Sequence, residues 1–166
     1  MSSEHKRPTP PPPAIGSDRV LHYALLDKSV SCKKGHGLLF VDGEEIDKVP
    51  GLAICQSRNS SDVVMYYCDS DWNSLAVSVH DSPANAKRRA EIIYPGSASH
   101  WVETRNSEEQ VNRYLDELYK DFRCSFCGKR GDLAEHMFSG AGSAQICDEC
   151  VKEFHSGRSG ASSHSD

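Results

Sequence analysis

Four cysteines near the C-terminus constrain this chain more than any other feature of its sequence. They form two pairs with two residues inside each pair, Cys124 with Cys127 and Cys147 with Cys150. This spacing lets both thiolates of a pair reach one ion about 2.3 Å away, and two such pairs complete a tetrahedron. The sequence therefore predicts one structural zinc ion bound by Cys124, Cys127, Cys147 and Cys150, with no open position for a catalytic water.

The segment around the cysteines is too short to build a core of its own. Nineteen residues separate the two pairs, a length that suits a small hairpin or a short helix. Zinc binding contributes on the order of 10–16 kcal/mol in small zinc peptides, more than the packing of some thirty residues supplies. Gly128 is expected to let the backbone turn sharply beneath the metal.

The cysteine motifs resemble a known family. Cys-Ser-Phe-Cys-Gly-Lys from Cys124 and Ile-Cys-Asp-Glu-Cys-Val from Ile146 are similar to the N-terminal zinc-binding domain of ClpX, the unfoldase that feeds the ClpP protease. The resemblance covers residues 123–154, within a zinc-binding module placed at 123–155. It implies a treble-clef zinc finger that dimerises and recruits clients or adaptor proteins. The chain has no G-x-x-x-x-G-K-[ST] loop, so the ATPase module of ClpX is missing from it.

Charge argues against a nucleic-acid partner. The net charge is -5, with 19 basic and 24 acidic residues, and such a balance repels a phosphate backbone. Residues 124–154 carry three basic and five acidic side chains, a net of -2. A zinc-dependent regulatory or nucleic-acid-binding protein stays open as the alternative function, although nucleic acid is the less favoured partner.

The cysteine count and the N-terminus favour a reducing compartment. Seven cysteines, an odd number, fit metal ligands better than disulfides in a chain without an export signal. No apolar run approaches the roughly 18 residues of a membrane helix, so we expect a cytoplasmic protein with no membrane partner.

Residues 19–104 predict a separate domain of the α+β class, a small antiparallel sheet with one packed helix. Asp42-Gly43 indicates a tight hairpin, because this pair tolerates positive φ angles. Apolar alternation and β-branched residues indicate strands at 20–26, 38–41, 44–46, 52–56, 63–68 and 75–80.

Two helices are expected around this domain. Ser82-Pro83 begins the first, because serine caps free amides and proline suits the first helical position. Its apolar positions are Ala86, Ala90, Ile93 and Tyr94, before a stop at Pro95-Gly96. A linker helix over 106–122, capped by Asn106 or Ser107, joins the domain to the zinc module.

Both ends of the chain are expected to be disordered. Residues 1–17 form a Pro-rich arm, in which Pro10–Pro13 is either a solvated tail or a ligand for a proline-recognition surface. Residues 156–166 are rich in serine and glycine.

Several other residues have a functional and a structural interpretation, and the structural one is favoured throughout. Cys32 with His36 is half of a second metal site or a pair of ordinary residues, and Cys68 with His80 is a nucleophile and base or a coincidence. His136 is a surface residue rather than a ligand. The basic run 87–89 is a solvated face rather than a binding patch. Trp72 and Trp101 are core or rim residues, with Trp72 the candidate interface anchor.

The sequence thus predicts a non-enzymatic zinc-binding interaction protein. No catalytic or cofactor-binding residue besides the metal ligands is assigned. The expected partners are proteins, either a second copy in a homodimer or client and adaptor proteins, including unfolded polypeptide, as the resemblance to the ClpX chaperone implies.

Overall fold

The computed structural model describes residues 9–33, 39–41, 44–46, 48–58 and 60–159. They divide into two compact units with the boundary between Val111 and Asn112. Within the described ranges, none of the helices combines the length and apolar character that crossing a bilayer takes.

The first unit contains a six-stranded antiparallel sheet. Its central order is β1-β2-β5-β6-β7, and β8 pairs with β2 beyond the end of β1. The strands of this unit are β1 (Ala14–Ile15), β2 (Asp18–Leu25), β3 (Leu39–Val41), β4 (Glu44–Ile46), β5 (Gly51–Gln56), β6 (Val63–Cys68), β7 (Ser74–His80) and β8 (Trp101–Glu103). With helix α1 (Pro83–Ile93) against it, this sheet confirms the predicted α+β class.

The hairpin signal marks a real pair of strands, which form a sheet separate from the main one. β3 pairs with β4 in a two-stranded sheet of its own, with Phe40 opposite Glu45. The Asp42-Gly43 turn lies outside the described residues. The sequence analysis placed this hairpin within the sheet, whereas β1 and β8 complete the six strands instead.

The sheet has a buried cluster on each face. One cluster joins the sheet to α1 and centres on Leu52, Ile54, Met65 and Tyr94, whose side chains are at most 1% exposed. The other consists of Ile15, Val20, Ala53, Cys55, Cys68 and Trp72. Two buried faces require something to cover the side opposite α1, and the N-terminal arm contributes Ile15 to that cover.

The arm was expected to be disordered over 1–17, and this is wrong for its described part. Ala14 and Ile15 are 1% and 6% exposed and pair with Arg19 and Asp18 of β2. The burial of these apolar side chains and the backbone hydrogen bonds of β1 offset the conformational entropy that the arm loses when it becomes ordered.

Helix α1 begins as its sequence indicates. The Ser82 side chain accepts a hydrogen bond from the Asn85 amide at 3.3 Å, and Pro83 occupies the first turn. Ala86, Ala90 and Ile93 are buried against the sheet.

Helix α2 (Glu108–Leu118) crosses the boundary between the units. Ser107 and Gln110 form a capping box, with N···O distances of 2.9 and 3.2 Å. The helix was expected to reach residue 122, but it ends four residues earlier. Residues after Leu118 turn instead into an antiparallel bridge between Arg123 and Arg130.

The second unit also contains β9 (Met137–Ser139), β10 (Gln145–Cys147) and helix α3 (Asp148–Ser159). β9 and β10 pair antiparallel, and α3 follows β10 directly. The helix includes residues 156–159, which the sequence analysis assigned to a disordered tail.

Replacing Ser82 by alanine is expected to lower the free energy of unfolding of the first unit by about 1 kcal/mol. The Asn85 amide would lose its side-chain acceptor. Both tryptophans lie in the first unit, so urea denaturation followed by tryptophan emission measures that unit alone. Ser82→Asn keeps a capping oxygen and should retain the original stability. Equal losses in the two variants would contradict the capping role.

Candidate metal centre

The first cysteine pair lies in a tight turn. The Gly128 amide donates to the Cys124 carbonyl at 2.9 Å, and the Cys124 amide donates to the Lys129 carbonyl at 2.8 Å. Gly128 has φ +74°, and a Cβ atom there would meet nothing within 4 Å. Backbone conformation, rather than lack of space, therefore favours glycine at this position.

The second pair is divided between a strand and a helix. Cys147 is the last residue of β10, and Cys150 lies in the first turn of α3. Two hydrogen bonds join the pairs: the Ser125 amide donates to the Gln145 carbonyl at 2.7 Å, and the Gln145 amide donates to the Ser125 hydroxyl at 3.0 Å.

The entry into α3 is also fixed by hydrogen bonds. The buried Asp148 side chain accepts from the His136 amide, and the His136 carbonyl accepts from the Asp148 amide. Lys152 lies 3.1 Å from the same carboxylate. This contact with Lys152 and the hydrogen bond from His136 lower the pKa of Asp148.

The four sulfur atoms lie within 4.8 Å of one another. The Cys124–Cys150 and Cys127–Cys147 sulfur pairs are 3.8 and 3.7 Å apart. A tetrahedron with metal–sulfur bonds of about 2.3 Å has edges of about 3.8 Å, whereas a disulfide bond is only about 2.05 Å long. The spacing of the thiols therefore fits a shared tetrahedral ion and excludes disulfides.

The surroundings favour thiolate at one of the sulfurs. Burial raises the pKa of Cys124, but amides of Cys127, Cys147 and Phe126 point at its sulfur and bring the pKa down to about 6. The Cys147 amide lies 3.4 Å from this sulfur. Lys129 forms an ion pair with Glu149, which raises the pKa of the lysine, and the sulfurs of Cys147 and Cys127 raise it further.

Exposure differs among the four sulfur ligand candidates. Cys124, Cys147 and Cys150 are buried, while Cys127 is exposed. Among the described residues, these four cysteines are the cluster that could hold a metal ion. The donor set is entirely sulfur, which suits zinc in a closed structural site.

A buried arginine braces the first cysteine turn. Arg130 is 5% exposed and forms an ion pair of 2.8 Å with Asp132, whose side chain is 1% exposed. The same guanidinium lies 2.8 Å from Asp116 of α2 and donates to the Asn112 carbonyl. Arg130 thus ties residues 112–118 of the helix to the turn. The sequence analysis missed this role, which an arginine beside a Cys-x-x-Cys motif does not reveal on its own.

Comparison with known proteins places this unit. Residues 122–156 match the family model described as the ClpX C4-type zinc finger. An ATP-binding subunit of the ATP-dependent Clp protease, ClpX 2 of Wolinella succinogenes, is 46% identical over 35 residues, which cover 21% of this chain and 9% of that protein. The resemblance inferred from the cysteine motifs is confirmed. No solved structure matches the chain.

The sulfur geometry and the family match together identify one structural zinc ion as the cofactor of this unit. The likeness is confined to the zinc finger, because the family match ends at residues 122 and 156. The chain spans only 9% of the length of the ClpX relative. It gives no assignment for the sheet domain.

Where the structure describes both partners, the other sequence candidates do not come together as a site. Cys68 pairs with Ser74 and His80 pairs with Val63, so the strand register places this cysteine and histidine at opposite ends of β7. His136 is exposed and stacks on Phe138, with ring centroids 6.5 Å apart. His36, the suggested partner of Cys32, lies outside the described residues.

The basic run 87–89 makes contacts instead of forming a free cationic patch. Lys87 lies 3.3 Å from the His22 ring nitrogen and 5.8 Å from the centre of the Trp101 ring. Arg88 hydrogen-bonds to Asn85. These contacts support the structural interpretation of the run.

Cys127→Ser is expected to abolish zinc binding and to unfold the second unit while the sheet domain stays folded. Elemental analysis would give the zinc content, and amide hydrogen exchange around Cys147 would report the unfolding. Cys32→Ser, which removes a thiol outside the cluster, should leave one zinc per chain. Retained protection around Cys147 in the Cys127 variant would show that the metal does not hold the unit.

Arg130→Ala is expected to destabilise the zinc unit by about 3–5 kcal/mol, because it leaves the buried Asp132 carboxylate without its arginine. Amide exchange of the zinc-loaded protein measures the loss. Replacing both partners, Arg130→Met with Asp132→Leu, removes both charges and should recover most of the stability. A double variant as unstable as Arg130→Ala would argue that the charge pair is not the cause.

Proposed function

We propose that all four thiolates hold the zinc ion and that the resulting closed module is a non-enzymatic protein-interaction element. Four sulfur ligands leave the metal without a position for water or substrate. The unit therefore acts by binding through its surface, and the ion maintains the shape of that surface.

The observation that carries this proposal is the apolar surface of the zinc unit. Its large hydrophobic side chains are mostly turned toward solvent, with Phe126 62% and Phe154 55% exposed. Their rings meet edge to face at a centroid distance of 5.3 Å. The other exposed apolar side chains of the unit are Leu118, Phe122, Leu133, Phe138 and Val151.

Such a surface is characteristic of a binding site. Exposed apolar patches on small proteins commonly mark interaction sites, and aromatic residues are enriched among interface anchors. The unit is also acidic between Cys124 and Phe154, which disfavours a nucleic-acid backbone as its partner. A surface that is both apolar and acidic is suited to binding another polypeptide.

Within this framework the module acts in two ways that the likeness to ClpX suggests. It associates with a second copy to form a homodimer, and it recruits protein clients, adaptors or unfolded polypeptide. The sheet domain supplies a further surface in the same chain. Because the zinc thiolates must stay reduced, the proposed setting is the cytoplasm.

The test is to replace Phe126 and Phe154 by serine and to measure mass by light scattering across a range of concentrations. The zinc-loaded protein should dimerise and should bind a reduced, carboxymethylated globular protein as a model of unfolded chain. The double variant should lose both properties while retaining its zinc, because its ligands are intact.

A matched control changes two exposed apolar residues of the sheet domain. Val77 and Val79 are 54% and 65% exposed on β7, and their replacement by serine should leave dimerisation and client binding unchanged. A zinc-loaded protein that stays monomeric and does not bind the carboxymethylated protein would refute the proposal. An equal loss of dimerisation and client binding in the Val77 and Val79 control would also refute it.

A further inference from the structure

The Pro-rich arm and Trp72, which the sequence analysis considered separately, contact each other. The Trp72 indole nitrogen donates a hydrogen bond to the Thr9 carbonyl at 2.9 Å. Trp72 itself is 7% exposed. A candidate ligand for a proline-recognition surface and a candidate aromatic anchor are therefore partners within one chain.

The arm has the conformation and chemistry of a polyproline ligand. Pro10–Pro13 are consecutive, so each φ is held near -65°, and each residue that precedes a proline is restricted to extended backbone. With trans peptide bonds, these restrictions favour the polyproline II conformation. Proline has no N–H, so such a segment is recognised through its carbonyls and its apolar rings.

The receptor side is the Tyr23–Trp72 aromatic pair on the sheet face opposite α1. The two rings are perpendicular, with centroids 5.8 Å apart. Gly51 lets the backbone of β5 approach the pair closely, since a Cβ atom there would lie 3.0 Å from the Trp72 ring. Aromatic rings with an indole N–H aimed at a ligand carbonyl are the features with which polyproline-binding domains recognise their ligands.

The turn that presents Trp72 is held in a costly conformation. Trp72 has φ +66°, a region that bulky side chains rarely adopt. The Asp69 carboxylate fixes the turn by accepting hydrogen bonds at 2.9 Å from the amides of Asp71 and Asn73 and from the Asn73 side chain. Strained residues kept in place by several hydrogen bonds are concentrated at binding sites.

We propose that the Tyr23–Trp72 aromatic pair is a binding site for proline-rich segments of other proteins, and that the chain's own residues 9–12 occupy it as an intramolecular competitor. From Pro13 onward the arm is anchored to the sheet, because the Val20 amide donates to the Pro13 carbonyl and β1 pairs with β2. Thr9 and Pro10 are exposed, and Pro11 and Pro12 are half-buried. Residues 9–12 can therefore leave the aromatic pair while β1 stays paired.

This inference is independent of the zinc module, because the aromatic pair and the arm both belong to the first unit. It also gives a reason for the position of residues 9–12, whose composition is typical of disorder: the Thr9 carbonyl is bound as the carbonyl of a ligand would be bound.

The test measures binding of a fluorescein-labelled synthetic peptide with the sequence of residues 7–15 to the full-length, zinc-loaded protein by fluorescence anisotropy. Replacing Pro11 and Pro12 by glycine in the protein weakens the competing arm, so the labelled peptide should bind about tenfold more tightly than to the unaltered chain. A peptide with alanine at the positions of Pro11 and Pro12 should bind weakly to both proteins.

Trp72→Phe keeps an aromatic ring but removes the N–H donor, and should weaken peptide binding about fivefold. Trp101→Phe is the matched control, because it also removes an indole but lies with the cluster on the α1 face. If the double glycine variant fails to fold, the two tryptophan substitutions can be compared in a Pro11→Gly background. They can also be compared in the unaltered chain at a higher peptide concentration.

Three results would overturn the proposal. The first is absence of peptide binding to a folded arm variant. The second is an equal effect of the two tryptophan substitutions. The third is a dimer that persists after Phe126→Ser and Phe154→Ser and dissociates when the peptide is added, since it would show that the aromatic pair binds the arm of a second copy.

Discussion

The C-terminal unit depends on its metal site, where four cysteine sulfurs lie at the spacing that one tetrahedral ion requires. Among its described residues, the buried hydrophobic side chains are three of the cysteines and Leu115. So small an apolar core leaves metal binding as the main favourable contribution to folding. Buried polar contacts, those of Arg130 and Asp148, then orient the chain around the ion. The aromatic side chains that would fill a larger core are left at the surface, where they can contact other proteins.

The sheet domain is stabilised differently. It buries large side chains on both faces, with α1 covering one face and the N-terminal arm contributing to the cover of the other. Trp72 belongs to the second cluster and also hydrogen-bonds to the arm. The same indole therefore packs in the core and holds the arm, which explains how a segment with almost no backbone donors is kept on the domain.

Local signals predicted much of this structure, and contacts distant in sequence account for what they missed. Apolar alternation indicated β7, and serine before proline indicated the start of α1, because each signal depends on neighbouring residues. The order of the arm depends on the packing of Ile15 against residues of later strands and on an indole 63 positions from Thr9. The end of α2 at Leu118 depends on the pairing of Arg123 with Arg130. For the metal centre, spacing indicated the cysteines, whereas the bracing role of Arg130 needed the fold.

The edge of the sheet at β2 has a consequence for how the protein behaves when crowded. Two short strands, β1 with two residues and β8 with three, lie one after the other along this edge. Long, regular outer strands offer rows of free amides and carbonyls that can capture a neighbouring chain, and short ones do not. The short strands therefore disfavour fibre-like stacking of molecules through this edge, and no charged side chain is needed there for that purpose.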